Sequence, residues 1–275
     1  MYLVSPMTPI FFSPSTDTTG TECSYMQLFS PSDEIMLQVI SRSESRAIVG
    51  HLLDLCNGTS VEIPFKIWSM NESDKLHYHI ITGLSEGYYA VEINGRESKP
   101  FRITANEKEL ENTTLIQYSM KDNRQRQDSV FWISGEQHFF DWRVHGGFKD
   151  DDWNFGVDNE QFVDNVYNRY DVFSAEGTSK SFTLGSSIGC PIWYGELLNR
   201  LMSCTYVYFN GERFVRSEGS VPEVQKVIEN KRSYIFRLAL SNLMVVYYTE
   251  SDNLMKIRRV DDSIFRKVDN RILTI

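Results

Sequence analysis

The chain has 275 residues, 41% of them hydrophobic and 24% charged, a balance that excludes an intrinsically disordered protein and leaves room for one large or two ordinary domains. Its formal charge is −9, from 37 acidic and 28 basic side chains, and a surface of that sign repels phosphate, which argues against duplex binding as the main activity. Aromatic residues reach 13%, a bias towards sheets and buried contact surfaces.

In chain order, Met1–Phe12 has no basic run and carries Pro6 and Pro9, so it is not read as a signal peptide. The first hundred residues then read as a small all-β unit. The expected strands are Ile35–Ile40, Ala47–Leu55, Ile63–Trp68, Leu76–Ile81, Tyr88–Ile93 and Phe101–Thr104. Polar turn signals separate them, among them Asn57-Gly58, Asn71-Glu72-Ser73-Asp74 and Asn94-Gly95. Short strands at this spacing predict an immunoglobulin-like β-sandwich over residues 1–105, without the Cys–Trp–Cys signature of antibody domains. The charge-dense stretch 106–114 reads as a linker.

The second domain, 115–275, is expected to be a β-sandwich or barrel flanked by one α-helix. Leu115–Ser119 is a strand. Lys121–Asp128 is eight polar residues in a row and reads as a loop. Val130–Ile133, His138–Val144 and Lys180–Leu184 are further strands, whereas Asp150–Asn168 is acidic and only weakly periodic and receives no assignment. The clearest helix lies at 191–204. Pro191 suits a helix start, and Trp193, Leu197 and Leu201 recur at i, i+4, i+8 beside Tyr194, Leu198 and Met202. Two alternating strands flank Asn210-Gly211, the strongest hairpin signal in the chain. Tyr234–Leu240 and Leu243–Tyr248 complete a sheet, and a basic tail follows. No apolar run approaches the roughly 20 residues that span a bilayer, so no membrane partner is expected.

Four motifs invite chemistry. Gly185-Ser186-Ser187-Ile188-Gly189 fits the G-x-S-x-G nucleophile elbow, yet the last histidine is His145, and that fold needs a histidine after its serine. The glycines are better explained as a tight turn into the helix. Asp150–Glu160 spaces oxygen ligands like a calcium loop, but the positions that demand Gly and Glu hold Phe155 and Gln161, so a solvated acidic loop is expected. His77 and His79 share one strand face, and His51 or His138 would have to supply a third zinc ligand. The aromatic clusters Phe131-Trp132, Phe139-Phe140 and Trp142 could stack on sugars or bases, with core packing the plainer use. Cys23, Cys56, Cys190 and Cys204 form no CxxC pair and read as reduced thiols. No catalytic, cofactor-binding or metal-ligating residue is therefore assigned, and no enzyme is expected.

Asp122–Asp128, His138–Phe148, Cys190–Leu201 and Val207–Val215 together resemble uncharacterised structural, tail-associated proteins of bacteriophages and prophages of gut Bacteroidales. The order strand, amphipathic helix, hairpin, strands is similar to the tail-tube and distal-tail architecture, in which a β domain with one helix assembles into rings. The resemblance implies a virion subunit, assembled in the bacterial host cytoplasm, that acts as a homo-oligomeric ring with other tail, connector or baseplate proteins. It implies no sequence-specific contact with nucleic acid and transfers no functional residue. A sandwich placed before a tube-like domain favours a terminal adaptor or baseplate position. Two other classes remain open: a carbohydrate- or receptor-binding module that reads with the N-terminal sandwich, and a hydrolase built on a carboxylate pair.

Overall fold

The structure, a computed structural model, describes residues 2–12, 25–42, 47–187, 189–217, 223–226 and 234–242, and the strand backbone at 258–260, 263–268 and 271–274. The chain forms two compact units, Met1–Asn242 and Leu243–Ile275. It is mainly β.

Unit 1 opens with β1 (Tyr2–Val4), β2 (Gln27–Phe29), β3 (Ile35–Arg42), β4 (Gly50–Asp54), β5 (Thr59–Glu62), β6 (Lys66–Ser69), β7 (Asp74–Ile81), β8 (Gly87–Ile93), β9 (Arg96–Glu97) and β10 (Phe101–Ile103). They build two sheets, one ordered β1-β3-β7-β6 and the other β2-β10-β8-β4-β5, with β9 on β8. The sheets share one core. Ile35, Leu37 and Val39 of β3 enter it from one side, and Val91, Ile93, Phe101 and Ile103 from the other. The alternate residues of β3, Met36 and Ile40, belong to a second core, so the strand is buried on both faces. Each such side chain contributes roughly 1.5–3 kcal/mol by leaving water. That is why Ile35–Ser41 reads as a nearly unbroken apolar run and not as alternation.

After β10 the expected linker folds into one helical turn, α1 (Glu107–Leu110), capped by Asn106 Oδ1, which accepts from Lys108 N. The chain continues through β11 (Thr113–Ser119), β12 (Trp132–Ile133), β13 (Glu136–Gln137), β14 (Phe140–Val163), β15 (Arg169–Leu184), α2 (Ile192–Leu201), β16 (Tyr206–Phe209), β17 (Glu212–Arg216), β18 (Glu223–Lys226) and β19 (Tyr234–Asn242). Successive pairing runs β15-β14-β11-β16-β17-β19, and β19 pairs again with β15, so six strands close into a barrel. Of the expected strand Val130–Ile133 only the last two residues pair. They form a minimal hairpin with β13 around Ser134 and Gly135, both at positive φ.

Alternate residues of the barrel strands, including Ile116, Tyr118, Phe140, Trp142, Phe182 and Leu238, form the second core with the buried face of α2. That face is Trp193, Tyr194, Leu197, Leu198 and Leu201, the stripe the sequence predicts. Helix and sheet approach closely: a Cβ on Gly195 would overlap the Phe236 ring.

Three devices lock the N-terminal sheets to the barrel. Asp33, on the turn before β3, receives a bidentate bond from Arg143 of β14, with both N···O distances 2.7 Å, and Asp33 is almost fully buried. Asp141 accepts the Glu34 N–H at 3.0 Å. The N-terminal segment crosses over to α2: Phe11 stacks on Trp193 with centroids 4.7 Å apart, Arg200 donates to Pro6 O, and the Tyr118 hydroxyl donates to Met7 O.

Unit 2 contains β20 (Arg258–Val260), β21 (Ser263–Val268) and β22 (Arg271–Thr274), an antiparallel meander within what the sequence reads as a basic tail. The expected strand Leu243–Tyr248 lies outside the described residues.

Candidate functional site

The structure distributes the sequence motifs rather than assembling them. Ser187 is exposed in the loop between β15 and α2. Gly185 and Gly189 take φ of +111° and +77°, values that only glycine adopts cheaply, so backbone geometry accounts for the elbow-like spacing. The His145 ring sits edge-on to Tyr25, and burial holds its pKa below the ordinary histidine value. His77 shares a 2.9 Å hydrogen bond with Ser41 on the neighbouring strand, His51 stands on the opposite sheet, and His138 lies against Tyr78. Among the described residues no group of three or more His, Cys, Asp or Glu is placed to hold a metal ion.

Phe131, Phe140 and Trp142 are fully buried, while Trp132 and Phe139 are half-exposed. Cys190 is buried, and burial pushes the half-buried Cys204 thiol up to about 12, out of the nucleophilic range at neutral pH. Cys23 lies outside the described residues.

The acidic segment is corrected outright. Residues 150–160 are not a loop: they run inside β14, paired with β15 from Trp153 onward after a register shift between Phe148 and Trp153. The barrel uses only the ends of the two strands nearest residues 146 and 184. From Trp153↔Lys180 to Val163↔Arg169 they continue as an antiparallel arm, about 35 Å long at about 3.4 Å per residue. Among the described residues no third strand flanks it beyond Ser179↔Ser241.

The tip of this arm is apolar and exposed. Phe162, Val163, Val166, Tyr167 and Tyr170 all present large surfaces, with Tyr167 89% exposed, and Phe155 further down the arm is 76% exposed. The turn is built to hold them. Asp164 Oδ1 accepts from Val166 N and Asn168 N, both at 2.8 Å, and its Oδ2 accepts from Asn168 Nδ2 at 3.0 Å. These bonds, those from Asn168 foremost, hold the Asp164 carboxyl below its ordinary value. Tyr167 occupies the left-handed region at φ +68°, where Gly or Asn would sit at lower cost. An exposed aromatic kept in a strained position at the end of an ordered arm has the character of a contact residue.

Sequence reading missed this element. The one available signal was the recurrence of Phe and Tyr between 153 and 173 inside an otherwise acidic stretch. Comparison of the chain with protein-family models, with curated proteins and with solved structures gives no match.

Proposed function

We propose that the chain is a structural subunit of a bacteriophage virion, a tail, connector or baseplate component that works by assembly with copies of itself and with other virion proteins, and not by catalysis. The observation that carries this reading is the arm with its apolar tip. A two-stranded hairpin is marginal in water by itself, and apolar side chains this exposed are used where a partner covers them. A six-stranded barrel with one packed helix and a projecting arm suits a ring, in which one surface of each subunit meets a different surface of its neighbour. Charge is compatible with such a head-to-tail contact. Glu136–Asp164 carries eight acidic and two basic side chains, and Lys256–Ile275 carries six basic and three acidic ones.

The immunoglobulin-like reading of the N-terminal sheets belongs to the same proposal. Its support is strand order: β1-β3-β7-β6 and β10-β8-β4-β5 follow the A-B-E-D and G-F-C-C′ arrangement, and β2 adds in parallel to β10.

Sedimentation and light scattering of the full chain across concentration and salt test the reading. A discrete oligomer is expected, reduced to monomer by Phe162→Ser with Tyr167→Asp and weakened by truncation after Met255 at low salt. A wild-type chain that stays monomeric at high concentration and low salt overturns assembly through these surfaces.

A further inference from the structure

A second feature stands apart from the arm. On the outer face of the barrel Asp141 of β14, Gln117 of β11 and Tyr208 of β16 lie side by side in register, one residue per strand. Phe139, just before β14, brings its ring to 6.0 Å from Tyr208 at 61°. The turn that carries Glu34 stands over this row, and together they enclose a groove of about 560 Å³, within the size range of small-ligand sites. Gly211 borders it.

The groove has a fixed part and an available part. Asp141 is spoken for: its Oδ1 accepts from Gln117 Nε2 at 2.8 Å and its Oδ2 from Glu34 N at 3.0 Å. Those two bonds set the Gln117 amide and the Glu34 backbone rigidly, as a pre-organised site requires. What remains is mostly accepting capacity. The Glu34 carboxylate is exposed, and among the described residues neither it nor the Gln117 Oε1 nor the Tyr208 hydroxyl takes part in a hydrogen bond. The His138 ring borders the same space. Aromatic faces beside several neutral acceptors match a ligand with one apolar C–H face and a rim of hydroxyl donors. A basic peptide fits less well, because Asp141 is already held by two donors and Glu34 is the one carboxylate there without a hydrogen bond among the described residues.

We propose that this groove binds a neutral sugar unit of a glycan, its apolar face against Tyr208 and Phe139 and its hydroxyls donating to Glu34 and Gln117. This site is independent of the arm. It places sugar recognition on the barrel, under a turn of the N-terminal sheets, and not on those sheets alone.

Affinity electrophoresis of the full chain through gels containing laminarin, mannan, xylan or soluble starch tests it, with octalysine titrated by calorimetry as the competing occupant. At least one of the four gels is expected to retard the wild type. Tyr208→Ala is expected to weaken that binding about tenfold, the scale of one aromatic contact, with Tyr208→Phe largely retaining it. Phe139→Leu provides a second reading on the opposite side of the ring pair should Tyr208→Ala fail to fold, and Tyr88→Ala, on β8, serves as an aromatic control that leaves binding unchanged. The proposal is overturned by any of three results: no retardation in all four gels, retardation insensitive to both groove variants in folded protein, or octalysine binding that Glu34→Gln abolishes while no glycan binds. Repeating the gels with the arm-tip double variant keeps this outcome separate from assembly.

Discussion

At Asn94 and Asn210 the backbone N–H and the side-chain amide grip a single residue, Val49 just before β4 and Leu115 within β11 respectively. Asn94 N donates to Val49 O and Val49 N donates to Asn94 Oδ1, both at 2.9 Å; Asn210 N donates to Leu115 O and Leu115 N to Asn210 Oδ1, both at 2.8 Å. Each asparagine therefore turns its own hairpin and extends the adjacent ladder by one pair. Both Asn-Gly turns have positive φ at both positions, +49° and +84° for Asn210 and Gly211, as the hairpin type demands. The turns are legible in the sequence because φ > 0 selects Asn and Gly locally. Their second role is not, since Leu115 lies 95 residues from Asn210. A Cβ on Gly211 meets no neighbour, so a substitution there acts through φ alone. Gly211→Val is expected to cost about 2 kcal/mol, and Asn210→Gly, which keeps the turn but loses the bond to Leu115, about 1 kcal/mol. Thermal denaturation should show losses of about 4–8 °C and about 2–4 °C respectively. Melting curves identical to wild type would mean that the turn is not under this constraint.

Among the elements, β3 decides how the N-terminal sheets and the barrel are joined. Its middle residue, Gln38, is fully buried between them and pairs with one backbone unit: Gln38 Nε2 donates to Val130 O at 2.5 Å and Val130 N donates to Gln38 Oε1 at 3.0 Å. A buried side-chain amide here takes the part of a β-ladder pair. Sequence pattern identifies β3 as a strand, yet a continuous apolar run does not say that a second core lies behind it. The arm was opaque for the opposite reason. Beyond Ser179↔Ser241 the two strands face no barrel partner among the described residues, so nothing imposes a strict apolar alternation, and the acidic stretch looks like a loop. Gln38→Leu keeps the volume but strands the Val130 N–H and C=O in a dry layer. We expect a loss of about 2–4 kcal/mol, well above the effect of an ordinary surface change. Urea denaturation followed by tryptophan fluorescence would measure it. An effect below about 1 kcal/mol would show that water or a local shift satisfies Val130 instead.

For the molecule as a whole, closure of the barrel rests on β15–β19 pairing between residues 179–184 and 236–241, a link too distant in sequence for any local pattern to reveal. The same packing that closes the barrel and joins it to the sheets buries titratable groups, and this makes stability depend on pH. His77, His79 and His145 all have pKa values lowered from 6.5 chiefly by burial; Lys75 adds to the effect at His77 and Lys66 at His79, while hydrogen bonds to Pro64 and Asn112 and the charge of Glu109 oppose it at His79 and His145. Near and below 6.5 the unfolded chain therefore binds more protons than the folded one, and unfolding becomes easier as pH falls through that range. Asp141 has the opposite sign. Burial raises its carboxyl from 3.8, so on acidification it takes up its proton in the folded state first and offsets part of the loss. Three histidines against one carboxyl, and at higher pH, set the direction: the melting temperature should decline from about pH 8 to about pH 5, before carboxylates in general titrate. His145→Gln retains a donor for the Asn112 carbonyl but cannot become charged, so the variant should show a shallower decline over the same interval whatever its melting temperature at the alkaline end. Equal slopes for variant and wild type would remove His145 from this account and leave the dependence to His77 and His79.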